Sequence, residues 1–266
     1  MSNTFLAVEG PQDSEFIAKL LKKLGFQKVA MLRELEGEFF CKRLLNRTYP
    51  IDGDLNARMP TPMYMRRNND WIAIRSAGGE TPKLLSALDI ALQSLKPQPS
   101  AIDSIGVIRD ADNKSAEECF FGFIKDFQAI KNIEGFNIQL PPSPGIIAEG
   151  SPRFGTFIFP DNNTSGALET LLEECGHVVY PGLMQGARSY VKGVDVEKLD
   201  GKDLELFNKP LGRKKATLAC VADILKPGMS IQVSIDQNRW ICEMTEGLPR
   251  IAKLSAFLSD LVGGAQ

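Results

Sequence analysis

One histidine, His177, serves the whole chain of 266 residues, and that scarcity removes several chemistries at once. A Ser-His-Asp or Cys-His device would rest on that single imidazole. Its surroundings, Glu-Cys-Gly-His-Val-Val-Tyr, carry no GxSxG elbow or comparable nucleophile context. Zinc prefers Cys and His ligands and finds no cluster of them. His177 therefore reads as structural or incidental, and acid–base or metal chemistry falls to carboxylates and lysines. Cysteine is sparse as well. Cys41, Cys119, Cys175, Cys220 and Cys242 show neither CxxC nor paired spacing, which suits reduced thiols in a cytoplasm better than a disulfide frame. Cys119 and Cys175 fall on apolar helix stripes and are expected in the core. No G-x-x-x-x-G-K-[ST] or G-x-G-x-x-G follows a strand-like run, so the nucleotide-cradling motifs are missing. No apolar stretch approaches the roughly 20 residues of a membrane span, and the N-terminus enters a strand without a signal-peptide layout. A cytoplasmic protein with no membrane association is expected. An excess of charge is also lacking. The net charge of −2 neither favours nor excludes nucleic acid, because a local basic patch binds phosphate on an acidic protein too.

What is present is an ordinary globular composition, 43% hydrophobic and 24% charged, in a chain long enough to bury a substantial core. Two segments stand out: Leu6-Ala7-Val8-Glu9-Gly10-Pro11-Gln12-Asp13 and Ile105-Gly106-Val107-Ile108-Arg109-Asp110-Ala111-Asp112. Each is an apolar run that stops abruptly at acidic residues. Buried parallel strands read that way, ending at the sheet edge where α/β proteins place their ligands.

Around these segments strands and helices alternate. Residues 4–9 read as a strand, followed after Gly10-Pro11 by a helix with Phe16, Ile17, Leu20, Leu21 and Leu24 on one face, closed by Gly25. Trp71–Ile74 reads as a second strand, then a Gly78-Gly79 turn and a helix carrying Leu84, Leu85, Leu88, Leu92 and Leu95. Strand 105–109 leads into a helix with Ala116, Phe120, Phe123, Phe127 and Ile130, and strand 155–159 into one with Leu168, Leu171, Leu172 and Cys175. The C-terminal part adds a helix near 211–225, a short hairpin near 231–243 and a closing helix with Ile251, Leu254, Leu258 and Leu261. The fold class expected is α/β, a mostly parallel sheet with helices on both faces. Residues 137–153, rich in Pro and Gly, read as a loop or lid.

If the two acid-ended strands are neighbours, Glu9, Asp13, Asp110 and Asp112 meet as one carboxylate cluster. Such a cluster repels itself unless a cation sits in it. Hard cations such as Mg²⁺ want oxygen ligands, and phosphodiester cleavage often uses two ions about 4 Å apart. The competing reading is that Asp13 or Asp112 caps the helix after it. An EF-hand is excluded, because Lys114 stands where an oxygen ligand belongs and the loop glycine is missing.

The joint pattern resembles the Toprim domain: strand-Glu-Gly-x-x-Asp-helix, a strand-Gly-Gly-helix unit, then strand-Asp-x-Asp-helix. That is the catalytic α/β module of topoisomerases, primases and OLD-family (overcoming lysogenization defect) nucleases. Phe159-Pro160-Asp161-Asn162 with Gly166-Ala167-Leu168-Glu169, and a later Lys-rich helix, resembles a small stand-alone branch of OLD-type Toprim proteins, many described only as a domain of unknown function. The resemblance implies a Rossmann-like core over residues 4–175 within one domain spanning 1–266. An insertion occupies about 26–70 and a helical extension about 176–266. It implies that Glu9, Asp110 and Asp112 are catalytic metal ligands and that Asp13 is the extra OLD-type acid. Glu169, with Asp161 as the alternative, completes the second site of a pair of Mg²⁺ or Mn²⁺ ions. Lys214 or Lys215 corresponds to the lysine that stabilises phosphate charge. Lys114 stands where some topoisomerase-type sites have a third alternate Asp, which argues against topoisomerase or primase chemistry. The implied activity is a Mg²⁺- or Mn²⁺-dependent nuclease acting on DNA or RNA. The alternative is a non-catalytic module of the same fold that binds nucleic acid or a partner ATPase, since the chain lacks the ATPase domain of full-length OLD nucleases.

Residues 39–69 are basic, with Lys42, Arg43, Arg47, Arg58, Arg66 and Arg67 against Asp52 and Asp54, interleaved with Tyr49, Tyr64 and prolines. Lys42, Arg43, Arg47, Arg66 and Arg67, with Arg213 beside the two lysines, are the candidate nucleic-acid contacts. The stretch itself is expected to be an inserted loop.

Overall fold

Runs that are apolar on both sides have nowhere to sit but the middle of a sheet, and four of them do so here. The structure, a computed structural model, describes residues 2–35, 37–45, 61–78 and 81–263. In chain order it runs β1 (Asn3–Val8), α1 (Pro11–Lys23), β2 (Gln27–Lys28), α2 (Phe39–Arg43), β3 (Met63–Arg67), β4 (Asp70–Ser76), α3 (Thr81–Leu95), β5 (Ser104–Asp110) and α4 (Ala116–Phe127). Next come β6 (Ile147–Ala148), β7 (Arg153–Phe159), α5 (Leu168–Val179), α6 (Pro181–Lys192) and α7 (Gly201–Asn208). The chain closes with α8 (Gly212–Leu225), α9 (Ile231–Gln237), α10 (Glu243–Glu246) and α11 (Pro249–Leu261).

The strands form one seven-stranded sheet in the order β2-β3-β4-β1-β5-β7-β6. Its centre is parallel: β1 pairs with β4 and β5, and β5 with β7. Its flanks are antiparallel, β2–β3–β4 on one side and β6–β7 on the other. The sheet is therefore mixed, parallel only in its four central strands. Val8 lies opposite Ser76 and Ile108, and Asp110 opposite Phe159, so the C-terminal ends of the central strands finish together. The chain leaves β1 to one side for β4 and then crosses to the other for β5. That is the switch point at which open α/β sheets hold their ligands.

Side chains alternate across each strand. Leu6, Val8, Ile72, Ile74, Ile108, Phe157 and Phe159 face α1, α5 and α11 on one side. Phe5, Ala7, Trp71, Ala73, Ile105, Val107 and Ile158 face α3 and α4 on the other. Cys119 and Cys175 are both buried, as their helix positions predict, and all five thiols are free. Among the described residues no helix is long and apolar enough to cross a membrane.

Two expectations need correction. The basic stretch is not simply a loop: its described parts contain α2 and β3, and β3 forms the antiparallel neighbour of β4. Arg47, Tyr49, Asp52, Asp54 and Arg58 lie outside the described residues, as does Gly79 of the expected turn. The C-terminal hairpin is instead α9 and α10. Ile231, Val233 and Ile235 alternate like a strand, but seven residues are too few for period alone to decide. Tertiary contacts decide instead. Ile235 and Ser234 are buried, and Trp240, also fully buried, donates its indole N–H to Ser234 Oγ at 2.9 Å.

Candidate functional site

Glu9 is the first residue beyond β1, and Asp110 is the last residue of the neighbouring strand β5. The parallel register that aligns Val8 with Ile108 brings Glu9 level with Arg109, next to Asp110, whose backbone N–H the Glu9 carboxylate accepts. Asp13 reaches the same place from the first turn of α1, where its Oδ2 accepts the Gly10 N–H at 2.6 Å. Glu169 reaches it from the first turn of α5, whose start is fixed by Asp110: Oδ1 of that residue accepts the Leu168 N–H at 3.0 Å. Two helix N-termini thus face the cluster and offset part of its charge. The capping role foreseen for Asp13 holds in part, since its carboxylate accepts the N–H of Gly10 at the helix start. Asp112 caps nothing; Ser115 caps α4, its Oγ accepting the Glu118 N–H at 3.1 Å.

The electrostatics are those of crowded, poorly solvated acids. Burial pushes Glu9 up from 4.5 to about 7, with Arg109 and Lys215 opposing and Asp112 adding to the rise. Burial likewise pushes Asp13 up from 3.8 to about 7, with Glu9 and Glu169 adding to the rise and the Gly10 N–H opposing it. Asp110 is held well above the ordinary carboxylate range by burial and then by Asp13, Glu9 and Glu169. Asp13 and Asp110 therefore both feel the charges of Glu9 and Glu169. Glu169 is 6% exposed, and its Oε2 is buried with no hydrogen-bond partner. A buried carboxylate oxygen without a donor is costly, and such an atom is open to a cation.

The chain supplies cations at both sides of the cluster. Arg109 Nε lies 3.4 Å from Glu9 Oε1 and makes no hydrogen bond there. Lys215 Nζ lies 3.4 Å from Glu169 Oε1, while Lys214 turns away to Glu173 and Thr170, each at 3.2 Å. Of the two lysines, Lys215 is the one that faces the acids. Asp112 is exposed, with a left-handed φ of 53° and its N–H donated to Gly166 O at 2.8 Å. It stands at the rim of the cluster, where its charge acts on Glu9. Among the described residues no three His, Cys, Asp or Glu side chains are already gathered tightly enough to hold a metal ion. The acids converge but stand apart, tied to backbone N–H groups and to the flanking cations.

Asp161 has a different task. Its Oδ1 accepts the N–H groups of Asn163 and Thr164 at 3.0 and 2.8 Å, and Arg250 Nε donates to its Oδ2 at 2.8 Å. Burial disfavours its charge, but the Thr164 and Arg250 hydrogen bonds prevail and hold it at about 2. It fastens α11 to the turn after β7. Because this pKa is depressed, the stabilisation is present above the ordinary value of 3.8 and is lost as pH falls through about 2. Asp161→Ala is expected to cost about 1–2 kcal/mol at neutral pH in urea unfolding, with the difference from wild type shrinking below pH 3.

The basic residues divide. Arg66 and Arg67 pair with Trp71 and Asp70 at the start of β4, so they lie at the sheet edge opposite the one where Glu9 emerges. Arg67 stacks on Phe26 and Arg66 on Trp71, at 4.5 and 5.1 Å from the ring centroids. Lys42 and Arg43 sit on α2, Arg43 over the Phe39 ring. Arg213 is on α8 near Lys215, its guanidinium 4.6 Å from the centre of the Phe207 ring. His177 is exposed in the last turn of α5, away from the cluster's residues in the chain. Arg109 was not among the expected site residues. The signal for it was strand alternation, which turns it to the face opposite Asp110 and toward Glu9.

A family model described as "Protein of unknown function (DUF3226)" matches residues 3–263. A solved structure of the hypothetical protein PH0156 from Pyrococcus horikoshii OT3 is similar in fold, with a TM-score of 0.56 and 17% identity, covering 98% of this chain and 95% of that one. No curated protein matches the sequence.

Proposed function

We propose for this chain, which belongs to the DUF3226 family of proteins of unknown function, a metal-dependent phosphodiesterase activity on DNA or RNA, of the Toprim type found in OLD-like nucleases. The observation that carries the proposal is the convergence of Glu9 and Asp110 from the ends of adjacent parallel strands with Asp13 and Glu169 from the first turns of two helices, Glu169 Oε2 being buried and unpartnered. The position of the Glu9 strand beside the Asp-x-Asp strand, at the switch point of the sheet, supports a Toprim-like arrangement.

The donor set fits hard divalent cations, being all oxygen and rich in carboxylates. Glu9, Asp13, Asp110 and Asp112 would hold Mg²⁺ or Mn²⁺, with Glu169 completing a second site. Such ions supply Lewis acidity toward the phosphate and lower the pKa of bound water. The chain's own residues do the rest. Arg109 holds the Glu9 carboxylate at the sheet edge. Lys215, exposed at its tip and close to Glu169, offsets charge on a phosphate brought to the acids. The N–H groups of Gly10 and Leu168 keep Asp13 and Asp110 aimed into the cluster. Lys42, Arg43 and Arg213 remain the residues offered to the nucleic-acid backbone, and Arg66 and Arg67 lie too far around the sheet to join them at the acids.

Isothermal titration with Mn²⁺ and cleavage assays on plasmid and single-stranded substrates test the proposal together. Micromolar Mn²⁺ binding and metal-dependent cleavage of at least one substrate are expected. No Mn²⁺ binding, or no cleavage across both metals and all substrates, overturns it.

A further inference from the structure

A cavity among the described residues adjoins the acidic site. It has a volume of about 830 Å³ and lies between the turn after β5, which gives Asp112 and Asn113, and the α7–α8 pair. Lys215 lines it too, so the same ammonium touches the cavity and Glu169. Its far wall is apolar: Leu206, Phe207 and Leu211 line it. α7 buries no residue at all, and Leu206 is 46% exposed. A helix that turns leucine and phenylalanine toward an open cleft, when it has no core to serve, invites a ligand.

The chemistry of the lining narrows the ligand. The volume is that of a small-molecule site. The wall offers the aromatic ring of Phe207, a surface suited to a flat aromatic group. Asn113 at the opposite side carries both a donor and an acceptor, as the edge of a nucleobase requires. Lys215 marks where an anionic group attached to that flat group would lie, and beyond it are the acids. Apolar plane, amide edge and cation toward the reactive site together describe a base with its phosphate. A paired base has its faces covered by stacking and its edge by its partner. Only an unpaired base offers both.

We infer that this cleft takes an unpaired base of a single-stranded nucleic acid and thereby delivers the adjoining phosphodiester to the carboxylate cluster. The inference deepens the phosphodiesterase reading and rests on it for the fate of the phosphate, but occupancy of the cleft needs no metal. It is therefore tested by fluorescence anisotropy in EDTA, with end-labelled single-stranded and duplex oligonucleotides and with AMP as competitor. Wild type is expected to prefer the single strand. Phe207→Ala and Leu206→Glu are each expected to weaken that binding about tenfold or more while leaving duplex binding unchanged. Because Leu206 is exposed, Leu206→Glu keeps the test valid should Phe207→Ala disturb α7. Unchanged single-strand affinity in both variants overturns the inference, as does equal affinity of wild type for both forms. So does AMP binding as tightly as the oligonucleotide, which would assign the cleft to a free nucleotide. The two readings separate cleanly. Protein that binds single strands through the cleft but cuts nothing with Mn²⁺ refutes only the hydrolase. Protein that cuts, with wild-type KM in both cleft variants, refutes only the cleft.

Discussion

Glu9→Gln and Asp110→Asn should each lower Mn²⁺-supported cleavage by about a hundredfold or more, and each should raise the melting temperature of the metal-free protein at pH 8, where repulsion among the ionised acids is greatest. The two effects have one cause. A bound cation contributes several kcal/mol of charge stabilisation to a phosphoryl transition state, and each 1.36 kcal/mol is about a factor of ten. Removing one charged ligand forfeits much of that. Without metal, the same charge only repels its neighbours in a poorly solvated pocket. Asp110 is disfavoured in ionised form by Asp13, Glu9 and Glu169, so a neutral amide of the same shape relieves the cluster. The amide introduced by Asp110→Asn retains an oxygen to accept the Leu168 N–H, so the start of α5 is preserved. Glu9→Gln gives up the attraction to Arg109, an ion pair at 3.4 Å with no hydrogen bond, which is a weak restraint to lose. Activity assays beside thermal unfolding in EDTA check the pair of signs. A variant that loses both activity and stability would instead point to a purely structural role for these acids.

The strand ends were legible in the sequence because an apolar run that stops at charge has few interpretations. Val8-Glu9 and Arg109-Asp110 fall at the ends of β1 and β5 within a residue of expectation. What could not be read was which acids beyond those ends share the site. Glu169 and Asp161 both follow β7, and only the fold shows Asp161 tied to Arg250 and Thr164 while Glu169 lies against Lys215. The lysine pair posed the same problem one level down. Adjacent residues on α8 point about 100° apart, so one of the two had to miss the acids, and it is Lys214.

The basic stretch misled for a different reason. Met63-Tyr64-Met65-Arg66-Arg67 lies in a Pro-rich, charged context and reads as loop, yet β4 needs a neighbour on its open side and pairs with it. Strand direction then decides where the charge goes. Antiparallel pairing carries Arg66 and Arg67 to the start of β4, the far edge of the sheet from Glu9. A count of local charge contains no such information. The cleft was equally hidden, because Leu206 and Phe207 sit in a short helix with Leu211 just beyond it, and they form no stripe that a periodicity search would single out.

Metal-free protein should be most stable near pH 4 and should lose stability as pH rises toward 8, the reverse of a protein held together by ionised carboxylates. Glu9 and Asp13 stand at about 7 in the fold against ordinary values of 4.5 and 3.8, and Asp110 is raised as well. A group whose folded pKa is raised contributes stability that is full below its unfolded pKa and is lost as pH climbs through the folded one. The window is therefore about pH 4 to above 7. Asp161, with its depressed pKa of about 2, acts in the opposite sense and sets the acid limit. Because the clustered acids share protons, their effects do not add in full, and a total of about 2–4 kcal/mol between pH 5 and 8 is the reasonable scale. That corresponds to a fall in melting temperature of roughly 5–10 °C. Mn²⁺ competes with those protons for the same oxygens, so its stabilising effect should be small at pH 5 and grow steadily to pH 8. Differential scanning fluorimetry across that range, with Mn²⁺ and with EDTA, reads both slopes. Parallel curves with and without the ion would mean that the acids hold protons and nothing else.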